Sequence, residues 1–312
     1  MSNIDKIEEL QNILKDDQSN FQARRQLAVL LLDSGFPEEA LQHFLYLAKI
    51  FPSDSGIFYN LGIVYEKLKN YDKAEYFYEK AIEAAPEEID AYYNLGLVYT
   101  EQQEFDKAIG CFEKVLRTDT DDSNSYFNLG ICYLKKGDNV NALLNFQKTI
   151  ELNDDDIYAH FYIGNILKDA GDYDGATEKF NKVLELSPEY SWAYYNLAVI
   201  DYENGDFDAA ILKLNRTLEL NPKDIDAYAI YAKLLAKSGD LSKAAQVIQT
   251  AITNCGDNGD LYYIQAQIAK MNEDMNLYSD AMGKTLANHQ TLSVNPKLVK
   301  LEYDKFLAKN PQ

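Results

Sequence analysis

The residues best suited to recognition chemistry in this chain are amides and rings, and they recur at a fixed spacing. Gln26, Asn60, Asn94 and Asn128 stand 34 positions apart, and Asn196 falls in the same register after a break at Tyr162. A carboxamide can both donate and accept, so a row of them could bind a peptide backbone whatever its side chains. The register breaks again at Ile230. One position before these residues runs a row of rings: Tyr59, Tyr93, Phe127, Phe161 and Tyr195. The densest aromatic group is Tyr158, Phe161, Tyr162, Trp192, Tyr195 and Tyr202, which includes the single tryptophan. Tryptophan and tyrosine dominate binding hot spots, so six rings facing one cavity would form a binding patch.

Catalytic chemistry has fewer candidates. The three histidines are His43, expected at a helix surface, His160, expected to pack like the aromatics in its register, and His289, expected in a loop. None has Cys or His at metal-ligand spacing. Gly283-Lys284-Thr285 has the ending of a phosphate loop, but the required glycine is Tyr278 and no strand precedes it. Asp172 and Asp174 before Gly175 suggest part of a calcium loop, yet the closing position is Asn181, not a bidentate glutamate. Asn215-Arg216-Thr217 matches a glycosylation acceptor inside a helical pattern. These residues therefore predict no catalytic site, no metal and no cofactor.

The elements that must carry the rows are helices. Phe58, Leu61, Gly62 and Tyr65 fall on one helical face, and Ala74, Phe77, Tyr78, Ala81 and Ile82 on another. A short polar turn separates them, with Asp72 expected as the N-cap of the second helix. Gly137, Gly171, Gly205 and Gly239 occupy the equivalent turns and suit a left-handed helix end. Pro52, Pro86, Pro188 and Pro222 close the units, since proline cannot continue a helix. Small residues fill two registers: Ala28, Gly62, Gly96, Gly130, Gly164, Ala198 and Ala232, then Ala40, Ala74, Ala108, Ala142, Ala176, Ala210 and Ala244. They predict close approach between stacked helices.

A 34-residue period built on these residues means a solenoid, and the pattern resembles the tetratricopeptide repeat (TPR) family. The resemblance implies an all-α, right-handed α-solenoid. Its expected parts are a capping helix over 1–20, seven repeats over 21–258 (starting near 21, 55, 89, 123, 157, 191 and 225), a degenerate eighth over 259–292, and a C-terminal capping helix over 293–312. An insertion near Asn272–Met275 is expected to displace Ala281, and the two end helices suggest a complete chain. The family implies binding of an extended peptide along a concave face lined by each first helix. The amide row is similar to the asparagine ladder in the TPR region of O-linked N-acetylglucosamine transferases, which implies backbone recognition. On that resemblance the candidate peptide-binding residues are Gln26, Tyr59, Asn60, Tyr93, Asn94, Phe127, Asn128, Tyr158, Phe161, Tyr162, Trp192, Tyr195, Asn196 and Tyr202.

Composition narrows the partners. With 30 Lys plus Arg against 50 Asp plus Glu, the net charge of −20 disfavours nucleic acid and anionic membrane surfaces. On the inward registers, acids (Asp33, Glu66, Asp90, Glu101, Asp169, Glu203 and Asp226) nearly balance bases (Arg25, Lys67, Lys135, Lys168, Lys233 and Lys237). A groove ligand therefore need not be basic. The N-terminus lacks a signal-peptide pattern, and no window of about 18 apolar residues could span a bilayer. The odd cysteines Cys111, Cys132 and Cys255 fit a reduced, cytoplasmic chain. The expectation is a non-catalytic scaffold for a protein or peptide. A self-assembling solenoid, such as a homodimer, is the alternative and an enzyme the distant one.

Overall fold

The helical periods form the expected helices in a computed structural model that describes residues 3–310. Eighteen α-helices and no strands are present among the described residues. They are α1 (Asn3–Asp16), α2 (Phe21–Asp33), α3 (Pro37–Ile50), α4 (Ser55–Lys67), α5 (Tyr71–Ala84), α6 (Ile89–Glu101), α7 (Phe105–Thr118), α8 (Ser123–Lys135) and α9 (Asn139–Leu152). There follow α10 (Ile157–Asp169), α11 (Tyr173–Leu186), α12 (Ser191–Glu203), α13 (Phe207–Leu220), α14 (Ile225–Lys237), α15 (Leu241–Cys255), α16 (Gly259–Met271), α17 (Met275–Ala287) and α18 (Pro296–Lys309). The fold is an α-solenoid of antiparallel helix pairs. No helix among the described residues is long and apolar enough to cross a membrane.

Capping starts each helix earlier than the sequence suggested. Asn70, not Asp72, caps α5 by accepting from the Lys73 amide, and Asp138, Asp172, Asp206 and Asp240 do the same for α9, α11, α13 and α15. Asp72 sits inside the first turn, where it still favours the positive end of the helix dipole. Before the cap, the chain reverses through a left-handed residue. Glycine takes it at Gly137 (φ 77°), whereas Lys69 (55°) and Gln103 (62°) adopt it with a side chain.

The two helices of a unit meet at a notch. In the first small register, a Cβ added at Gly62, Gly96, Gly130 or Gly164 would lie 2.5–2.8 Å from the ring of Tyr78, Phe112, Phe146 or Phe180. These four rings are fully buried. Where the partner is aliphatic, alanine replaces glycine: Ala198 with Leu214 and Ala232 with Ile248, all buried. Ala28 with Phe44 is the one pairing of alanine with a ring. The second register, from Ala40 to Ala244, is wholly buried as expected.

The eighth pair corrects one expectation. Its helices start at Gly259 and Met275, the same offset as Ser55 and Tyr71, so nothing is inserted. Glu273 takes the left-handed turn position and Asp274 the cap. Ala266 and Met282 occupy the notch, and Ala281 is buried rather than displaced. The departure lies in Tyr278, which fills the register elsewhere held by alanine and packs against Phe306 of α18 at 4.7 Å.

Contacts divide the chain into two units, residues 1–159 and 160–312. In the first, α4 packs on α6 and α6 on α8, so successive first helices are neighbours. In the second, α14 packs on α16 in the same way. Gly130→Ala is expected to destabilise the protein by about 1–3 kcal/mol, because the Phe146 ring must shift. Combining it with Phe146→Leu recreates the Ala198–Leu214 pairing, so chemical denaturation should give a smaller loss than the two single changes summed.

Candidate functional site

In residues 1–159 the rows form one interlocked surface. Each ring that fills a glycine notch supports a first-helix ring: Tyr78 lies 6.0 Å from Tyr59, Phe112 5.7 Å from Tyr93, and Phe146 5.6 Å from Phe127. Each tyrosine hydroxyl is then held by the amide of the next repeat. Asn94 Nδ2 donates to Tyr59 Oη at 3.0 Å, and Asn128 Nδ2 to Tyr93 Oη at 3.1 Å. Asn128 Nδ2 also donates to the Asn124 carbonyl at 2.9 Å, and Asn60 Nδ2 to the Gly56 carbonyl at 2.6 Å.

These bonds limit what one amide of the row can offer. Asn128 spends both its N–H groups internally, and Asn60 and Asn94 spend one each. The half-buried row therefore keeps an Oδ1 acceptor at each of the three positions and one N–H at Asn60 and at Asn94. The pairing also accounts for the first break in the row. Phe127 has no hydroxyl to be held, and the next residue in the amide register is Tyr162.

Acids accompany the tyrosines. Burial, followed by the nearby Asp90 and Glu66, pushes the Tyr59 hydroxyl above its ordinary pKa. Burial and Asp122 do the same at Tyr93, so both stay protonated near neutrality. Between them, Asp90, Tyr93, Asp119 and Asp122 line a shallow cavity of about 250 Å³. The ring register begins differently, with Arg25, whose guanidinium grips Asp54 at 2.6 and 3.3 Å and holds its carboxyl below the usual range. Gln26 is exposed and lines a cavity of about 580 Å³ beside Leu10 and Ile13 of α1.

Residues 160–312 depart from the expected site. Asn196 is 4% exposed, its Oδ1 accepts from Lys168 Nζ at 2.6 Å, and its Nδ2 donates to the Trp192 carbonyl at 2.8 Å. Burial takes that amide out of a ligand's reach. Phe161 packs on Phe180 and Tyr190 and lies 6.0 Å from Tyr162. Trp192 pairs with Tyr195 at 6.2 Å, while Tyr202 packs on Phe207 beneath Lys237. Tyr158 belongs to the first unit and is exposed, as is Trp192.

An apolar hollow in this unit was not among the sequence candidates. A cavity of about 560 Å³ lies between α14 and α16, with Ala229, Ile264, Ile268, Met271 and Val294 on its walls. The signal was available: Ala229 occupies the register where five preceding repeats carry a ring. The row of rings is interrupted there and resumes at Tyr263, which lines the same cavity.

Histidine offers no converging chemistry. His43 meets the Arg24 guanidinium at 3.2 Å, and burial plus that charge lower its pKa. His160 is buried and His289 exposed. Among the described residues no group of three His, Cys, Asp or Glu side chains could hold a metal ion. Cys111 and Cys132 are buried free thiols, and burial pushes the Cys111 thiol up to about 12.

Tyr59→Phe and Asn94→Ala are each expected to cost about 0.5–1.5 kcal/mol, the net worth of one hydrogen bond. Because they remove the same bond, the double variant should lose less than the sum, which a denaturation cycle measures.

Family models described as tetratricopeptide repeat match residues 54–121, 87–155 and 201–268, and one described as TPR repeat matches 164–205. No curated protein matches the chain. Among solved structures, YrrB, a TPR protein with an unusual peptide-binding site, is 27% identical over 61% of this chain and 97% of its own, at a TM-score of 0.52. MamA from Desulfovibrio magneticus RS-1 is 26% identical over 55% of this chain and 97% of its own, at 0.53. A tetratricopeptide repeat protein from Parabacteroides merdae ATCC 43184 shares the fold over 80% of this chain and 97% of its own, at 18% identity and a TM-score of 0.61.

Proposed function

Because the chain belongs to the tetratricopeptide repeat proteins across residues 54–155 and 164–268, we propose that it is a non-catalytic scaffold that holds an extended peptide along its first helices. The observation that carries this reading is the half-buried row of Asn60, Asn94 and Asn128 on α4, α6 and α8. Their Nδ2 groups are anchored in the protein, which orients the Oδ1 acceptors without cost at the moment of binding. Backbone N–H groups of an extended guest are the matching donors, and they are present in every sequence except at proline. The peptide-binding site of YrrB, 27% identical, supports the same reading. The row's likeness to the asparagine ladder of the glycosyltransferase TPR region is part of it, limited to the repeats where tyrosine and asparagine pair. Partner identity lies beyond this reading; its chemistry is that of an unpaired backbone.

A peptide array probed with the full-length chain tests it. Binders should lose about tenfold or more in affinity when Asn60, Asn94 and Asn128 are changed together to alanine, a loss of roughly one hydrogen bond's worth per site. Circular dichroism on the same variant would establish that the helices persist. Unchanged affinity removes the amide row from binding.

One observation favours a second reading, self-association through the C-terminal helix. Leu298 and Leu301 on α18 are 61% and 50% exposed, a pair of large apolar side chains facing solvent. If copies meet there, sedimentation should show a concentration-dependent dimer that Leu301→Glu abolishes. A monomer at every concentration excludes it.

A further inference from the structure

The cavity between α14 and α16 lies on the first-helix face but belongs to neither the amide row nor the aromatic group. Its shape follows from a substitution. In repeats two to six a ring stands in the register of Ala229, and Tyr263 stands there in the eighth; at Ala229 only a methyl group faces a cavity of about 560 Å³, which Tyr263 also lines. Ile264 and Ile268 of α16 form one wall, and Val294, 37% exposed, stands at the rim. Met271 at the far end is 54% exposed, and methionine adapts its shape to a guest.

Four charged residues edge this hollow, and two are already engaged. Asp260 accepts from the backbone N and the hydroxyl of Ser293. Lys237 lies over the rings of Tyr202 and Phe207, 5.3 and 4.8 Å from their centroids. Asp226 and Lys233 remain, and among the described residues neither has an ion pair or hydrogen bond. They flank Ala229 on α14, about 10 Å apart at about 1.5 Å per helical residue. The Asp226 end carries more negative charge than one carboxylate supplies. Asp224 beside it is 5% exposed and its Oδ2 has no hydrogen-bond partner, while burial, then Asp226 and Asp224, push the hydroxyl of half-buried Tyr195 up to about 12.

We propose that this cavity is a side-chain receptor: it takes one large aliphatic residue of an extended guest, with a basic residue two positions away at Asp226 and an acidic one two positions away at Lys233. Alternate residues of an extended chain share a face and advance about 6.7 Å per pair, so base, anchor and acid cover about 13 Å. Long side chains close the difference to the spacing on α14. The anchor fills the space that a tyrosine or phenylalanine occupies in earlier repeats. The inference rests on the extended-peptide reading above and adds to it a specificity that backbone recognition lacks.

Two synthetic peptides, blocked at both ends, test it with the full-length chain: Ser-Arg-Ser-Leu-Ser-Glu-Ser and its reverse, since either chain direction satisfies the charges. Calorimetry should detect one of them. Replacing its Leu by Ser should weaken binding about tenfold or more, as should Ala229→Trp, which fills the hollow. Lys233→Glu, at an exposed position, should weaken it and be rescued by the peptide with Arg in place of Glu. That exchange holds the test open if Ala229→Trp disturbs folding. Binding of neither peptide, or binding indifferent to both protein changes, overturns the proposal. Array peptides that depend on Asn94 and Asn128 but not on Ala229 would sink the cavity and leave the amide row standing. Dependence on Ala229 alone would do the reverse.

Discussion

The closest approach of two helices within each repeat sets the rest of the molecule. Where Gly62 faces Tyr78, there is no room for a methyl group, and the ring lies flat in the gap. That ring supports Tyr59, whose hydroxyl is held by Asn94 of the following repeat. A backbone contact thus positions an amide two helices away. The same sequence of contacts runs from Gly96 through Phe112 and Tyr93 to Asn128. Truncating any of the buried rings would remove about 3–5 kcal/mol and also release the surface built on it.

In residues 160–312 the notch keeps its ring at Gly164 and Phe180, and beyond that pair its occupants shrink. Leu214, Ile248 and Met282 face Ala198, Ala232 and Ala266, and the core stays buried throughout. The inner register keeps a ring at Tyr195 and at Tyr263 but loses it at Ala229. The amide register changes with it, to a buried Asn196 and then Ile230. The two units therefore present different surfaces from one architecture: polar acceptors in the first, an apolar hollow with charged ends in the second.

The excess of acid has a structural origin in part. Repeats this short need a cap at nearly every helix start, and Asp54, Asp122, Asp138, Asp172, Asp206, Asp224, Asp240 and Asp274 supply it with a carboxylate. Asparagine does the same at Asn20 and Asn70 without the charge. Many of the ion pairs are exposed and local, such as Lys80–Glu83 and Lys148–Glu151, and contribute little to stability. Net charge describes the helix ends more than the ligand.

The helices, their pairing and their period were legible in the sequence because each depends on local spacing: apolar residues on one face, a turn residue, a small residue at fixed register. Even the eighth pair kept that register, and the apparent insertion came from Tyr278 standing where alanine was expected. Side-chain availability was a different matter. Asn60, Asn128 and Asn196 look equivalent along the chain, yet one is half open, one has both N–H groups engaged, and one is buried against Lys168. Trp192 packs on Tyr195, while Tyr202 packs on Phe207, a ring outside the group. A hydrogen bond or a cavity depends on what neighbouring helices bring within a few ångströms, and a repeat period does not record whether that neighbour is a hydroxyl, a lysine or a missing ring. Spacing along the chain determined which residues line the first helices; only their packing decided which of them a guest could reach.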